Sequence, residues 1–305
     1  MAGVKRVPIA SIRHKVHLSD LAHPGVKGAS FAGFLDSLPR QLAAEDLRAL
    51  VEAIVAAHRE GRAIIWGMGA HVIKCGLSSL VIDLMLRGLI TGVALNGAGA
   101  IHDVELALAG ETSEDVAAGL DEGVFGMAEE TGAFFCRALA GSPEPGLGHL
   151  VGKALLAEGA PHAEQSILAQ GAALGVPVTV HVALGTDTIH MHPGINAEAL
   201  GAATMADFRL LAAEVADMDG GGVYLNVGSA VLLPEVFLKG LTLARNLGHR
   251  VAGFTTANLD MLQHYRPLQN VVRRPAGTGG RGYTLTGHHE IMVPLLAQAI
   301  LEKIP

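Results

Sequence analysis

The stretch that decides the fold runs from residue 62 to residue 103 and reads RAIIWGMGAHVIKCGLSSLVIDLMLRGLITGVALNGAGAIHD. A short apolar run at 62–65 enters a glycine loop, and a helical pattern of apolar residues follows at 77–87. A second apolar run at 92–95 then enters a second glycine loop at 96–99. Strand, loop, helix and strand in this order are typical of a βαβ unit, in which the two strands are parallel. The stretch therefore predicts a parallel sheet with helices packed against it.

The same alternation continues towards the end of the chain. Three more apolar runs are predicted to be strands, at residues 176–184, 223–227 and 251–254. Further helical patterns lie at residues 42–59, 124–140, 163–174, 197–216 and 234–247. Two glycine-rich breaks, 220–222 and 276–282, are predicted to be loops. We expect an N-terminal extension at 1–40 and a single α/β domain at 41–305, built as a Rossmann-like, doubly wound, mostly parallel sheet with helices on both faces.

Composition excludes several classes of protein. Half of the 305 residues are apolar and 17% are charged, so the chain can bury a large core and is not disordered. The net charge of −7 argues against a surface for nucleic acid or anionic membrane. No apolar stretch is predicted to span a membrane or to serve as a signal peptide, and two Cys exclude a disulfide framework. We expect a soluble, cytoplasmic protein.

Ligands of open parallel sheets bind beyond the carboxyl ends of the strands. Five segments at these ends are predicted to form the site: residues 67–71, 96–103, 186–192, 226–229 and 255–258. They are rich in small residues, which let a ligand approach the backbone, and helix N-termini can bind phosphate. The G-x-G-x-x-G fingerprint is absent, because Val72 stands where its third glycine would be. A dinucleotide or similar ligand is still favoured over simple turns.

Histidine is unusually frequent, with 15 residues in a chain that has one Trp and three Tyr. Seven lie at or near predicted strand ends or before the last helix: His71, His102, His181, His190, His192, His288 and His289. Four residues have the types that bind a divalent metal: His102, Asp103, His190 and His192. Histidines near neutral pH also serve as general acids and bases, or simply cap helices and line polar clefts. The residues alone leave these alternatives open.

Three further features have simpler interpretations. Cys75 is predicted to be a buried thiol rather than a nucleophile. The acidic segments 111–115 and 129–130 are predicted to be charges at helix starts, with a role in binding a cationic substrate as the lesser alternative. Arg273 and Arg274 either bind an anionic group or form a solvated pair.

Five segments are similar, in unbroken order, to loops and helices of one enzyme family: GMGAHVIKCG (67–76), LNGAGAIHD (95–103), ALGTD (183–187), TTAN (255–258) and IMVPLL (291–296). They resemble the deoxyhypusine synthases, NAD-dependent enzymes of Rossmann-like fold that transfer the aminobutyl group of spermidine. The similarity spans roughly residues 60 to 300. It implies NAD as the cofactor and a homo-oligomer, expected to be a tetramer.

The resemblance and the predicted loops together imply a set of cofactor-binding residues: Gly69, Ala70, His71, Asn96, Gly97, Ala98, Gly99, Asp187, Asn226, Gly228, Ser229, Thr256 and Ala257. Asp103 falls on the family's polyamine-binding Glu, and Asp103 and Asp187 are expected to orient substrate or ribose.

The substrate side departs from the family pattern. The catalytic Lys is missing, because Arg266-Pro267 is followed by NVVRRP at 270–275. Lys74, in the first loop, is a weak candidate to replace this catalytic Lys. The Asp-Ala pair that opens the family's last helix is replaced by His288-His289, and 189–192 offers His where the family has an acid.

We therefore expect an NAD-dependent oxidoreductase or transferase with altered chemistry on a small amine- or alcohol-bearing substrate. Six residues are expected to be catalytic: His102, Asp103, His190, His192, His288 and His289. The alternatives are a divalent-metal-dependent hydrolase or lyase that uses the His cluster, and a non-catalytic nucleotide-binding protein.

Overall fold

A computed structural model describes residues 2–277 and 279–304. Six strands form one sheet: β1 (Ile64–Met68), β2 (Gly92–Asn96), β3 (Val178–His181), β4 (Val223–Val227), β5 (Thr255–Asp260) and β6 (Arg281–Thr286). Their order is β3-β2-β1-β4-β5-β6, and every neighbouring pair is parallel. This is the Rossmann order, which reverses direction between β1 and β4. The prediction of a Rossmann-like parallel α/β fold is confirmed.

Helices and single turns connect the strands. The α-helices are α1 (Phe31–Ser37), α2 (Leu42–Arg59), α3 (His71–Lys74), α4 (Ser78–Leu86), α5 (Gly97–Ala109), α6 (Val116–Leu120), α7 (Glu129–Ala138), α8 (Leu147–Ala157), α9 (Ile167–Leu174), α10 (Ala197–Ala216), α11 (Leu232–Asn246), α12 (Tyr265–Pro267), α13 (Arg274–Ala276) and α14 (His289–Leu301). A π-helical segment occupies Leu268–Arg273, and 3₁₀ turns occupy Ile9–Ser11, Leu18–Asp20, Ala163–Gln165 and Thr188–Met191.

The two faces of the sheet carry separate apolar cores. Ile64, Trp66 and Met68 of β1 pack into one core, and Ile65 packs into the other. This alternation follows from the period of two in a strand. Both faces are covered, so the strands read as continuous apolar runs.

The prediction fails at the last two strands. Residues 251–254 are not a strand: Val251 and Gly253 have positive φ angles of 38° and 70°, and the chain turns there. β5 begins only at Thr255, so the segment 255–258, predicted to be a loop, lies inside the strand. β6 begins at Arg281, within the predicted glycine-rich loop, and was missed.

The N-terminal residues lie on the outside of the molecule. Every side chain from Ala2 to Ser30 is exposed except that of Asp20, which is half-buried. The first α-helix, α1, packs against α14. Within the described residues, no helix is long and apolar enough to cross a membrane.

Candidate active site

The carboxyl ends of β1, β4 and β5 are held together by backbone contacts. The N–H of Gly69 donates to the carbonyl of Val227 (2.9 Å), and the N–H of Gly228 donates to the carbonyl of Leu259 (3.0 Å). A Cβ on Gly69 would lie 2.2 Å from the carbonyl oxygen of Gly228, so no larger residue fits there. These two glycines, termed here the glycine floor, lie where the strand order reverses between β1 and β4.

His289 lies on this floor. Its side chain is 2% exposed. A Cβ on Gly228 would lie 2.8 Å from Nε2 of His289, so no larger residue fits at position 228. The φ of 69° at Gly228 also favours glycine. The ring of His71 stands edge-on to it, with the centroids 5.9 Å apart. Burial lowers the pKa of His289, while the charges of Asp260 and Glu290 oppose that change. A neutral His289 imidazole can accept a proton.

The neighbouring groups come from α3 and the start of α14. His288 is exposed, and its Nδ1 is 3.9 Å from a carboxylate oxygen of Glu290. The Cys75 thiol is half-buried and donates to the other oxygen of Glu290 (3.7 Å). Burial and the Glu290 charge raise the pKa of Cys75, so the thiol stays protonated, as its interpretation as a non-nucleophile requires.

Asn226 links the ends of β4 and β5. Its side-chain amide donates to the carbonyl of Ser229 (2.9 Å) and to Oδ1 of Asn258 (2.7 Å). The hydroxyl of Ser229 accepts the N–H of Leu233 (3.1 Å) at the start of α11. Ser229 is thus engaged in capping a helix, whereas Asn226 keeps a free oxygen.

Asp187 lies at the N-terminus of α5. Its carboxylate accepts the N–H of Ala98, and a Cβ on Gly97 would lie 1.9 Å from its Oδ2. Asn96 caps the same helix by accepting the N–H of Gly99 (2.9 Å). Burial raises the pKa of Asp187, against the opposing effects of His190 and the hydrogen bonds.

His190 faces Asp187 through one ring nitrogen. Its Nδ1 accepts the N–H groups of Gly185 (3.2 Å) and Asp187 (3.3 Å), so the neutral ring carries its proton on Nε2. That nitrogen is 3.9 Å from Oδ2 of Asp187. A hydroxyl can accept a hydrogen bond from such a nitrogen and donate one to such an oxygen.

A cavity of about 200 Å³ opens beside Asp187. Its polar lining includes Lys74, His102, Thr186 and Thr188. Nδ1 of His102 is 2.7 Å from the hydroxyl of Thr112, which in turn donates to Glu105. Residues from the ends of β1, β2 and β3 therefore meet here.

Buried polar atoms without a hydrogen-bond partner concentrate at the carboxyl ends of the strands. Nine such side-chain atoms occur among the described residues. Five of them belong to the candidate site: Oδ2 of Asp187, Nε2 of His190, Oδ1 of Asn226, and both ring nitrogens of His289. Buried polar groups are normally paired, so this concentration indicates a place where a ligand completes the hydrogen bonding.

No protein-family model and no curated protein matches the sequence. Several solved structures do align with this chain. A proposed deoxyhypusine synthase from Entamoeba histolytica aligns with a TM-score of 0.54 and 10% identity, over 92% of this chain and 96% of that one. A conserved protein of proposed LOR/SDH type from Methanococcus maripaludis S2 aligns with a TM-score of 0.54 and 14% identity, over 86% of this chain and 71% of that one.

AgrE, in a ternary complex with ornithine and NAD+, aligns with a TM-score of 0.53 and 13% identity. The alignment covers 85% of this chain but only 34% of AgrE. With the strand order and these alignments together, the fold is settled. The chain has a divergent deoxyhypusine synthase-like fold.

Within this fold, some predicted site residues have structural tasks. Asp103 is fully buried, and its carboxylate accepts the Ser166 hydroxyl (2.5 Å) and the N–H groups of Ile167 (2.8 Å) and Leu168 (3.0 Å). Asp103 therefore caps α9, and both of its carboxylate oxygens accept hydrogen bonds there. These contacts do not support its predicted catalytic role, which stays a prediction.

Thr256 and Ala257 lie in the middle of β5, fully buried, and not at its end. The hydroxyl of Thr256 donates to the carbonyl of Val271 (2.7 Å), which ties the strand to the π-helical segment. Their prediction as cofactor-binding residues rested on placing the strand four residues too early, so their position in β5 does not support it.

The predicted metal ligands do not converge. Nε2 of His192 is 3.3 Å from the Gly126 carbonyl, and its ring packs against Gly132 of α7, where a Cβ would lie 2.0 Å from Nδ1. No three His, Cys, Asp or Glu side chains within residues 2–277 and 279–304 come together as a metal site. The metal alternative built on His102, Asp103, His190 and His192 is not supported.

Four further residues beside the candidate site were not predicted from the sequence. Glu105, Thr112 and Glu290 lie next to His102 or His288, and the charge of Asp260 acts on His289. The spacing from His102 to Glu105, three residues along one helix, was a signal that could have paired them. Asp260 could not be found this way, because the end of β5 was misplaced.

Proposed function

We propose that the protein binds NAD across the carboxyl ends of its strands and uses it as an enzyme on a small amine- or alcohol-bearing substrate. The unpartnered polar atoms of Asp187, His190, Asn226 and His289 carry the proposal, since they mark the strand ends as a ligand site. The fold shared with AgrE, which was solved with ornithine and NAD+, favours a dinucleotide and an amine as the ligands.

The residues present fit a dinucleotide in specific places. The free oxygen of Asp187 can accept a hydrogen bond from a ribose hydroxyl, and the Nε2 proton of His190 can be donated to the same hydroxyl. Gly69 and Gly228 let the ends of β1 and β4 approach each other closely, and the His289 ring covers Gly228. The Asp187 carboxylate already accepts the Ala98 N–H, so the N-terminus of α5 is suited to a hydroxyl and not to a second anion.

Bound NAD supplies an acceptor, or in the reverse direction a donor, for a hydride. The remaining chemistry belongs to the protein. When a substrate C–H bond gives up its hydride, the adjacent N–H or O–H must lose a proton. His289 is the candidate base, because burial lowers its pKa and its neutral ring keeps a nitrogen that can accept a proton. His71, exposed and edge-on to His289, can exchange that proton with solvent.

A turnover assay tests this assignment. The purified chain is mixed with NAD and a panel of diamines, amino acids and amino alcohols, and the formation of NADH is followed by absorbance. We expect at least one substrate to be oxidised, and His289→Gln to lower kcat by 10² to 10⁴. His249→Gln, at an exposed position before β5 and so at the opposite end of the strands from the site, is the matched control and should keep full activity.

Two results would contradict the proposal. If His289→Gln turned over at the parent rate, the proton acceptor would lie elsewhere. If NAD bound tightly but no member of the panel reacted, the chain would be a nucleotide-binding protein without this activity.

A further inference from the structure

The N-terminal segment 2–30, termed here the arm, carries large apolar side chains that are about half exposed or more. Eight aliphatic side chains are 49 to 89% exposed: Val4, Val7, Ile9, Ile12, Val16, Leu18, Leu21 and Val26. Single exposed apolar residues are ordinary, but eight within 23 positions are not. Such a segment indicates a contact that a single copy of the chain does not make.

The arm is also basic. It holds Lys5, Arg6, Arg13, Lys15 and Lys27 against a single acid, Asp20, for a net charge of +4. The whole chain has a net charge of −7, so the remainder carries −11. None of the five cations forms an ion pair with another described residue.

Residues 105–130, termed here the acidic lobe, carry the opposite charge to the arm. The lobe contains eight acidic residues and no Lys or Arg. Its exposed apolar side chains are those of Val116, Leu120, Val124 and Met127. The lobe also borders a cavity of about 660 Å³, whose lining includes Glu111, Glu114, Glu130 and the aliphatic Leu108. A cavity lined by carboxylates, with exposed aliphatic side chains on the same lobe, suits a chain segment that carries both cationic and aliphatic side chains.

The arm and the lobe do not cover each other within one copy, because the aliphatic side chains of both are exposed. We propose that the arm of one copy docks on the acidic lobe of a second copy. The aliphatic side chains of the arm cover Val116, Leu120, Val124 and Met127, and its cations face the carboxylates around the cavity. Attraction between the arm, with a net charge of +4, and the lobe, with eight carboxylates, decides the register and the partner. Burial of the apolar side chains supplies most of the affinity.

Zero-length carbodiimide cross-linking of the full chain tests the contact, because it joins Lys only to carboxylates in direct contact. We expect a covalent product of twice the chain mass on a denaturing gel. Peptide mapping should connect Lys5, Lys15 or Lys27 to acids of 105–130.

Charge reversal makes the test specific. Arg6→Glu with Arg13→Glu keeps every lysine of the arm and should lower the yield of this product at least five-fold. Glu111→Lys with Glu130→Lys should do the same, and combining the four changes should restore it. Lys153→Glu with Arg209→Glu, at exposed positions outside arm and lobe, is the charge-matched control and should have no effect.

Three results would overturn the proposal. Cross-links found only at the mass of one chain would place the arm on its own lobe. Dimer cross-links that connect the arm to other acids, or a combined variant that fails to recover, would remove the lobe as the partner. Absence of arm–lobe cross-links together with salt-sensitive binding of the chain to vesicles containing anionic lipid would make a membrane the occupant.

Discussion

Two buried carboxylates, Asp103 and Asp207, have pKa values raised by burial, to about 6 and about 7. Asp207 accepts the N–H groups of Gly148 (2.9 Å) and Val180 (2.7 Å), so it ties the start of α8 to β3. A carboxyl group with a folded-state pKa above its unfolded value of about 3.8 stabilises the fold at low pH. That contribution is present below pH 4 and is lost as the pH rises towards 7.

Replacement of Asp207 tests this pH dependence. A rise in the pKa of Asp207 from 3.8 to about 7 lowers the free energy of unfolding by about 4 kcal/mol between pH 4 and 7. Asp207→Asn should therefore flatten the decline in the free energy of unfolding over this range, as measured by urea denaturation. Asp36→Asn, at an exposed position, is the control. An unchanged slope in Asp207→Asn would show that this group does not titrate in the folded protein at these pH values.

Gly97 decides where the Asp187 carboxylate can sit. A Cβ at Gly97 would lie 1.9 Å from Oδ2 of Asp187, so Gly97→Ala must displace the carboxylate. We expect NAD affinity to fall at least ten-fold, about 1.4 kcal/mol. Gly201→Ala, in the second turn of α10 with no heavy atom within 4 Å of the new Cβ, should keep NAD affinity and stabilise the helix by up to about 1 kcal/mol. Equal NAD affinity in both variants would remove Asp187 from the site.

At the scale of elements, the first four strands could be predicted because their buried residues are apolar, as in IIWGM of β1 and VYLNV of β4. β5 could not, since its sequence TTANLD is fully buried yet polar. Its side chains are satisfied by partners distant in sequence, such as the Val271 carbonyl for Thr256. The apolar run just before it turns at Val251 and Gly253 instead. β6 is an edge strand with one buried residue, and its flanking glycines favoured a loop.

The same reasoning explains how the candidate site was predicted in part. Asp187 and His190 follow β3 and Asn226 lies near the end of β4, both of which were predicted, so these residues were expected at the sheet's carboxyl edge. His289 was singled out only by its position before the last helix, because β6, the strand that precedes it, was not predicted. Asp103 points from the far side of α5 to α9, which no local pattern reveals.

Thr256→Val separates the structural and the cofactor-binding interpretations of β5. The change preserves side-chain volume but leaves the buried carbonyl of Val271 without this donor. We expect the free energy of unfolding to fall by about 1 to 3 kcal/mol, with NAD affinity unchanged. Thr242→Val, on the exposed face of α11, should cost much less. A loss of NAD affinity without a loss of stability in Thr256→Val would return this residue to the cofactor site.

At the scale of the whole molecule, the resemblance to deoxyhypusine synthases leads us to propose a homotetramer. Size-exclusion chromatography with multi-angle light scattering should give a mass four times the 31.5 kDa of one chain. Deletion of residues 2–30 should shift the assembly to smaller species if the arm holds copies together. A monomer of the intact chain at micromolar concentration would contradict both the tetramer and the arm contact.

Isothermal titration calorimetry measures directly whether the carboxyl ends of this sheet bind NAD. We expect saturable heat with a Kd below 1 mM, about 4 kcal/mol of binding free energy or more. Asp187→Asn should weaken the binding, and Asp36→Asn should not. No heat and no thermal stabilisation at several millimolar NAD would show that these strand ends do not bind NAD.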